Sequence, residues 1–282
     1  MLKQLLINGL QLLPSDIFQR LVKTNSNIKI KKIARAGVKN RDVTIQNGVG
    51  AGLKFNCGES NPDGALGIYE PPVQETLANH LKPGDIFYDI GANVGFFTII
   101  VAKLVGETGK VYGFEPAPEN AKLLRKNIEL NKFNNVTVIE KAVAESSQKG
   151  ELVLSDYCGG NVLANFFAGV ESTPNKQKSI SVDVICIDDL VENQTINPPN
   201  MVKIDVEGGE INVLQGMMKT INNHKPILLY EIDDRNKRIF QEKMNKIDSF
   251  VSDLGYTLKT LEDAYPDIGW NVGHVIAIPK HS

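Results

Sequence analysis

Apolar and polar positions along the chain fall into blocks whose period changes. Over residues 1–22, Leu2, Leu5, Leu6, Leu10, Leu13, Ile17 and Leu21 recur at mostly helical spacing, which predicts an amphipathic helix broken near Pro14. Residues 42–57 alternate around Asn47-Gly48 and Gly50, with Val43 and Ile45 before and Leu53 and Phe55 after, the pattern of a hairpin. Val73, Leu77 and Leu81 mark a short helix over 71–81 that stops at Pro83-Gly84.

From there the rhythm is strand, turn, helix. Strands are predicted at 85–90, 110–114, 136–139, 201–206 and 227–231. Helices are predicted at 96–105, 119–131, through Ile211, Leu214 and Met218, and over 235–254. Residues 256–261 and 274–278 form a closing strand pair with no helix between them. Such alternation predicts an α/β fold: a mostly parallel sheet with helices on both faces and an antiparallel last strand. Strands are also expected at 151–154 and 179–187. The Gly-, Asn- and Ser-rich segment 155–178 between them lacks a period and reads as a substrate-side loop.

Composition narrows the classes. The 282 residues are 42% hydrophobic, enough for a sizeable core. The 31 basic and 33 acidic residues leave a formal charge of -2, so no global charge points to nucleic acid. The three cysteines, Cys57, Cys158 and Cys186, lack metal-ligand spacing and read as reduced thiols of a cytoplasmic protein. Asn8, Gln11 and Pro14 interrupt the N-terminal apolar run, which makes a poor signal peptide, and no stretch has the length of a membrane span. The basic residues that follow, from Lys23 to Arg41, read as a solvated face. The competing reading is a peripheral contact with an anionic membrane. The chain is expected to divide into an N-terminal helical segment and hairpin, 1–60, and a core domain, 61–282.

The chemistry concentrates at strand ends. D-I-G-A-N-V-G, Asp89 to Gly95, closes the first core strand and opens a helix, placing Gly91, Ala92, Asn93 and Gly95 where backbone can approach a ligand. A dinucleotide fingerprint requires glycine where Asn93 stands, and the Asp89 carboxylate would repel a pyrophosphate. Both suit S-adenosylmethionine, which carries an ammonium and a sulfonium and no phosphate. Glu115 ends the next strand, before Pro116, where a carboxylate can take both ribose hydroxyls at roughly 1.5–3 kcal/mol each. Ala142, after the third strand, would let backbone lie along the adenine edge.

These residues resemble a family. D-I-G-A-N-V-G-F-F-T, F-E-P-A-P-E-N, L-x-x-N-I-E-L-N and V-K-I-D-V-E-G-G-E look like the FkbM methyltransferases, over about residues 60–280 by the strand–helix pattern. Gly209 stands where alanine is common in that family. The resemblance implies a Rossmann-like seven-stranded methyltransferase sheet and S-adenosylmethionine as cofactor. It also implies O-methylation of a sugar, glycan or natural product, with a small-molecule or glycan acceptor as partner.

An alcohol nucleophile must lose a proton, so a base or a metal is expected. Period two would put Lys203, Asp205 and Glu207 on one face at the fourth strand end, with Glu231 at the end of the fifth. Converging carboxylates can create a base, or Asp205, Glu207 and Glu231 can hold a divalent cation such as magnesium. The plainer reading is a Lys203–Asp205 ion pair and a Glu207 helix cap. His274 on the last strand could serve as base, against the plainer reading of an edge-strand histidine. Tyr69 and Glu70 are weaker candidates on the substrate side. Two other classes compete: an NAD-dependent oxidoreductase on the same fold, disfavoured by Asp89, Asn93 and the lack of a Tyr-x-x-x-Lys pair, and a non-catalytic binding protein with a methyltransferase fold.

Overall fold

A computed structural model of the chain describes residues 35–155, 161–164, 178–265 and 269–280. The expected N-terminal helix and most of segment 155–178 lie outside them. Of the basic run, Arg35 is paired with Asp63 and Lys39 with Glu59. No described helix is long and apolar enough to cross a membrane.

The chain opens with a two-residue hairpin, β1 (Val43–Thr44) against β2 (Lys54–Phe55), then two helices, α1 (Pro62–Leu66) and α2 (Pro71–His80). The core follows as β3 (Ile86–Ile90), α3 (Phe96–Val105), β4 (Lys110–Phe114), α4 (Pro118–Leu130) and β5 (Val136–Ile139). Next come four short strands and a helix: β6 (Ala142–Val143), β7 (Gln148–Val153), β8 (Val162–Leu163), β9 (Ser179–Ile185) and α5 (Ile187–Glu192). The core resumes as β10 (Met201–Ile204), α6 (Glu210–Gln215), α7 (Met218–His224), β11 (Ile227–Asp234), α8 (Lys237–Asp253), β12 (Tyr256–Thr260) and β13 (Asn271–Pro279).

Seven strands form the main sheet in the order β12-β13-β11-β10-β3-β4-β5, all parallel except β13, as the alternation predicted. Strand period sorts the side chains between two cores. Phe87, Met201 and Leu229 point to one face, with Phe97, Ile99 and Ile100 of α3 and Val73 and Leu77 of α2. Tyr88, Ile90, Val202, Ile204, Leu228 and Tyr230 point to the other, with Val213, Leu214, Ile221, Ile247 and Val251 of α6, α7 and α8. Helix α3 is apolar nearly all round and correspondingly buried. Each large side chain so buried stabilises by about 1.5–3 kcal/mol.

Several boundaries differ from expectation for identifiable reasons. The helix expected through Met218 is two helices. Between them a Cβ on Gly216 would lie 2.1 Å from the Ala144 carbonyl oxygen, so this crossing is kept for a close backbone approach. Helix α8 starts at Lys237, because the Asn236 side chain accepts hydrogen bonds from the amides of Arg238 and Ile239. The strands flanking segment 155–178 pair with each other, Leu152 opposite Ile180, in a second, four-stranded sheet ordered β6-β9-β7-β8.

The hairpin shares a core with the main sheet: Ile45, Leu53 and Phe55 join the α2–α3 cluster. One buried side chain also ties it to the glycine turn. Asn127 on α4 accepts from the Asn56 amide at 2.8 Å and donates to the carbonyls of Asn56 at 2.9 Å and Val94 at 2.8 Å.

Candidate active site

In an open parallel sheet, ligands bind outside the carboxyl ends of the strands where the order reverses. Here that point lies beside β3, with β4 on one side and β10 on the other. A cleft of about 1120 Å³ opens there. Gly91, Asn93, Glu115, Pro116 and Ala142 line one part of it, and Tyr69, Asp205, Glu207 and Glu231 another. Ser155, Asn161, Val162 and Leu163, the described ends of the 155–178 segment, line it too. Asp89, Ala92, Gly95, Lys203, Glu70 and His274 stand behind the lining, all buried or, for Gly95, packed under Leu124.

The glycine turn is shaped first by protein contacts. Gly91 has φ 86°, and a Cβ on it would lie 1.7 Å from the Asp205 carbonyl oxygen. Gly95, at φ 88°, caps α3, and its Cβ would strike Leu124. Both glycines are thus required by the close passage of β3, β10 and α4, whatever approaches Gly91 from the cleft. Asn93 adopts φ 49° and aims its amide at Glu115 Oε2, 2.8 Å away. The Asn93 Oδ1 atom is buried without a hydrogen-bond partner.

Glu115 both caps and lines. Its Oε1 accepts from the Ala117 amide at 2.9 Å, at the start of α4, while the carboxylate borders the cleft. Burial pushes its pKa up to about 7, the Ala117 and Asn93 amides opposing. Asp89 takes a hydrogen bond from Thr98 Oγ1 at 2.5 Å, and its Oδ1 is buried without one. Burial raises its pKa, with Lys203 opposing. Asp89 therefore supports the turn from beneath rather than presenting its carboxylate on the cleft surface.

Strand β10 ends at Ile204, two residues short of the expected run, although the Asp205 amide still donates to the Ile90 carbonyl at 3.0 Å. Glu207 and Gly208 then both take left-handed backbone, φ 59° and 104°. Alternation does not carry to Glu207, which reaches the cleft from a turn. It does not cap α6; Glu210 takes the Gly208 amide at 2.8 Å. Burial, Asp205 and Asp233 raise the pKa of Glu207 to about 10. The Lys203 ammonium is buried, 2.8 Å from Asp205 Oδ2 and 5.0 Å from the Phe97 ring centroid. Burial alone would neutralise it, but Asp205, Asp89 and Glu70 hold it charged.

Glu231 lies inside β11, three residues before its end, opposite His274 in register. Strand β13 is covered by β12, so the edge-strand reading of His274 does not hold. The ring is buried, with Nε2 2.6 Å from Glu231 Oε2 and 3.3 Å from Glu70 Oε2. Burial would lower the imidazole pKa; Glu231 and Glu70 raise it instead. The two carboxylates respond oppositely. Burial raises both, but for Glu70 the His274 and Lys203 charges win, whereas Glu231 stays high beside Asp205 and Glu70. Tyr265 donates to Glu70 Oε1 at 2.5 Å.

Sequence reasoning missed Tyr265, Asp233, Asp234 and Trp270, which also line the cleft. The indole N–H of Trp270 donates to Asp233 Oδ2 at 2.5 Å, and the Arg235 guanidinium lies 4.6 Å from its ring centroid. The one available signal was the acidic pair Asp233-Asp234 directly following an apolar strand. The metal set expected from Asp205, Glu207 and Glu231 is not the one whose atoms converge; Glu70, Glu231 and His274 are.

A seven-stranded sheet with a cleft at its strand ends, lined by Gly91, Asn93, Glu115 and Asp205, is the arrangement that the resemblance to the FkbM methyltransferases implies. A model of the methyltransferase FkbM domain matches residues 89–258, and the chain belongs to that family. It is 29% identical over 154 residues to the hexuronic acid methyltransferase AglP of Haloferax volcanii, covering 55% of this chain and 59% of that protein. It is 29% identical over 147 residues to a probable cobalt-precorrin-6B C(15)-methyltransferase of Sulfurisphaera tokodaii, covering 49% and 71%. It is 25% identical over 159 residues to the 31-O-demethyl-FK506 methyltransferase FkbM of Streptomyces tacrolimicus, covering 49% and 61%.

Proposed function

We propose that this chain transfers the methyl group of S-adenosylmethionine to a hydroxyl oxygen of a sugar, glycan or related natural product. The observation that carries this reading is one cleft that joins the glycine-turn residues and Glu115 to the carboxylates of β10 and β11, which we read as a cofactor wall and an acidic wall. On the first, Glu115 would take the ribose hydroxyls, Pro116 and Ala142 would border the adenine, and the buried, unpartnered Asn93 Oδ1 would meet the amino-acid end. Bound there, the cofactor supplies an electrophilic methyl group on sulfur.

The second wall suits a neutral acceptor. Asp205, Glu207, Glu231, Asp233 and Asp234 line it, while Arg235 lies over Trp270 and Lys243 is 2.9 Å from Asp234. Such a wall suits hydroxyls, which can donate to an ionised carboxylate and accept from a protonated one. The FkbM relative is an O-methylating enzyme by name, which fits an oxygen acceptor. Asp205 is the proton acceptor: Lys203 holds its Oδ2, and it sits beside Gly91 where the cleft walls meet. The hydroxyl oxygen would form the new C–O bond as the methyl–sulfur bond breaks and S-adenosylhomocysteine leaves with the electron pair, the hydroxyl proton passing to Asp205.

The test is Asp205→Asn with labelled S-adenosylmethionine and a panel of neutral glycosides and uronates. General-base loss lowers turnover by about 10²–10⁴-fold, with S-adenosylhomocysteine affinity retained. Undiminished turnover removes Asp205 from the reaction. Methyl esters of uronates, in place of base-stable ethers, would refute the hydroxyl acceptor.

A further inference from the structure

We infer that Glu70, Glu231 and His274 form a divalent-cation site in the wall of the cleft. The three come from separate segments: the residue before α2, the middle of β11, and β13. Their atoms Glu70 Oε2, Glu231 Oε2 and His274 Nε2 lie within 4.8 Å of one another. Each is buried, and none is in hydrogen-bond geometry with any group, although the ring nitrogen lies 2.6 Å and 3.3 Å from the two oxygens. Buried polar atoms are normally satisfied, and three that converge with mutual contacts outside hydrogen-bond geometry point to a ligand between them.

Ligands about 2.1 Å from a common ion lie roughly 3.0–3.4 Å apart. The 3.3 Å contact already fits, and the 2.6 Å contact needs only a small opening by Glu231. Charge agrees as well: two carboxylates and an imidazole are an anionic ligand set for a divalent cation. The Tyr265 hydroxyl on Glu70 Oε1 is the outer hydrogen bond that orients a ligating carboxylate. A mixed nitrogen–oxygen set favours Mn²⁺ or Zn²⁺ over Mg²⁺. Glu231 also borders the cleft, so the site adjoins the acceptor wall. The role we assign, polarising the acceptor hydroxyl so that its proton leaves more readily, rests on the hydroxyl-acceptor reading; the binding site itself does not.

The experiment is titration of the chelator-treated full chain with Co²⁺, read by visible ligand-field absorption. One Co²⁺ per chain is expected, with affinity lower by at least about tenfold in both His274→Gln and Glu231→Gln and unchanged in Glu207→Gln. Far-UV circular dichroism confirms that each variant is folded. No saturable uptake, or wild-type affinity in both ligand variants, overturns the site. Methyl transfer that stops on chelation while S-adenosylhomocysteine still binds supports the role; transfer that continues overturns it. Stoichiometric Co²⁺ binding with no acceptor hydroxyl methylated sinks the hydroxyl reading and leaves the site standing.

Discussion

Replacing Gly91 with alanine separates two explanations for the glycine turn. The added Cβ would lie 1.7 Å from the Asp205 carbonyl oxygen, where ordinary contact begins at 3.4 Å. That oxygen is backbone and cannot swing aside, so β3 and β10 must part at their carboxyl ends. Three costs follow. Alanine at φ 86° costs about 1–2 kcal/mol. Overpacking a close backbone contact costs about 1–3 kcal/mol. Weakening the 3.0 Å bond from the Asp205 amide to Ile90 costs about 1 kcal/mol. We expect a loss of about 3–6 kcal/mol, a large share of the roughly 5–15 kcal/mol typical of a domain. Equilibrium urea unfolding without cofactor measures it, as a lower midpoint at unchanged slope. If the cofactor-free variant loses less than about 1 kcal/mol yet no longer binds S-adenosylhomocysteine, the glycine serves the ligand and the packing argument is wrong.

Other expectations follow from the same geometry. Glu115, with a pKa of about 7, should bind S-adenosylhomocysteine progressively more weakly as pH falls below 7, and Glu115→Gln should flatten that profile in calorimetry. The sign for stability is opposite. A carboxyl whose folded pKa is raised favours folding fully below its unfolded value of about 4.5, and that contribution fades as pH rises to about 7, which unfolding across this window would detect. Asn236→Ala should cost about 1 kcal/mol through loss of the α8 cap, read by thermal melting, with cofactor affinity unchanged. Trp270→Ala should raise the acceptor KM several-fold while leaving S-adenosylhomocysteine affinity intact; an unchanged KM would exclude the indole from acceptor contact.

The parallel sheet was legible because its strands are short apolar runs buried on both faces, and α3 because it is apolar nearly all round. The second sheet was harder to read: β7 and β9 are half polar, and their pairing spans a segment without any period. Within the site, residues adjacent in sequence were easy to find. Asp89, Gly91 and Asn93 share one turn, and Asp205 and Glu207 share another. The trio of Glu70, Glu231 and His274 is assembled only by β11–β13 register and a left-handed backbone at Glu70, neither of which leaves a local signature. Gly91 shows a different limit. Its position in a glycine turn was plain, but the atom that requires it belongs to Asp205, more than a hundred residues away.

The Asn127 amide has a consequence for how the molecule reports on itself. One rigid, buried side chain grips both strand-end backbone at Asn56 and the Val94 carbonyl inside the glycine turn. Opening the hairpin therefore loosens the turn, and clamping the turn discourages the hairpin from opening. Occupancy of the cleft should be audible from outside it, as slower deuterium uptake at the Asn56 amide, in a strand pair that touches no ligand.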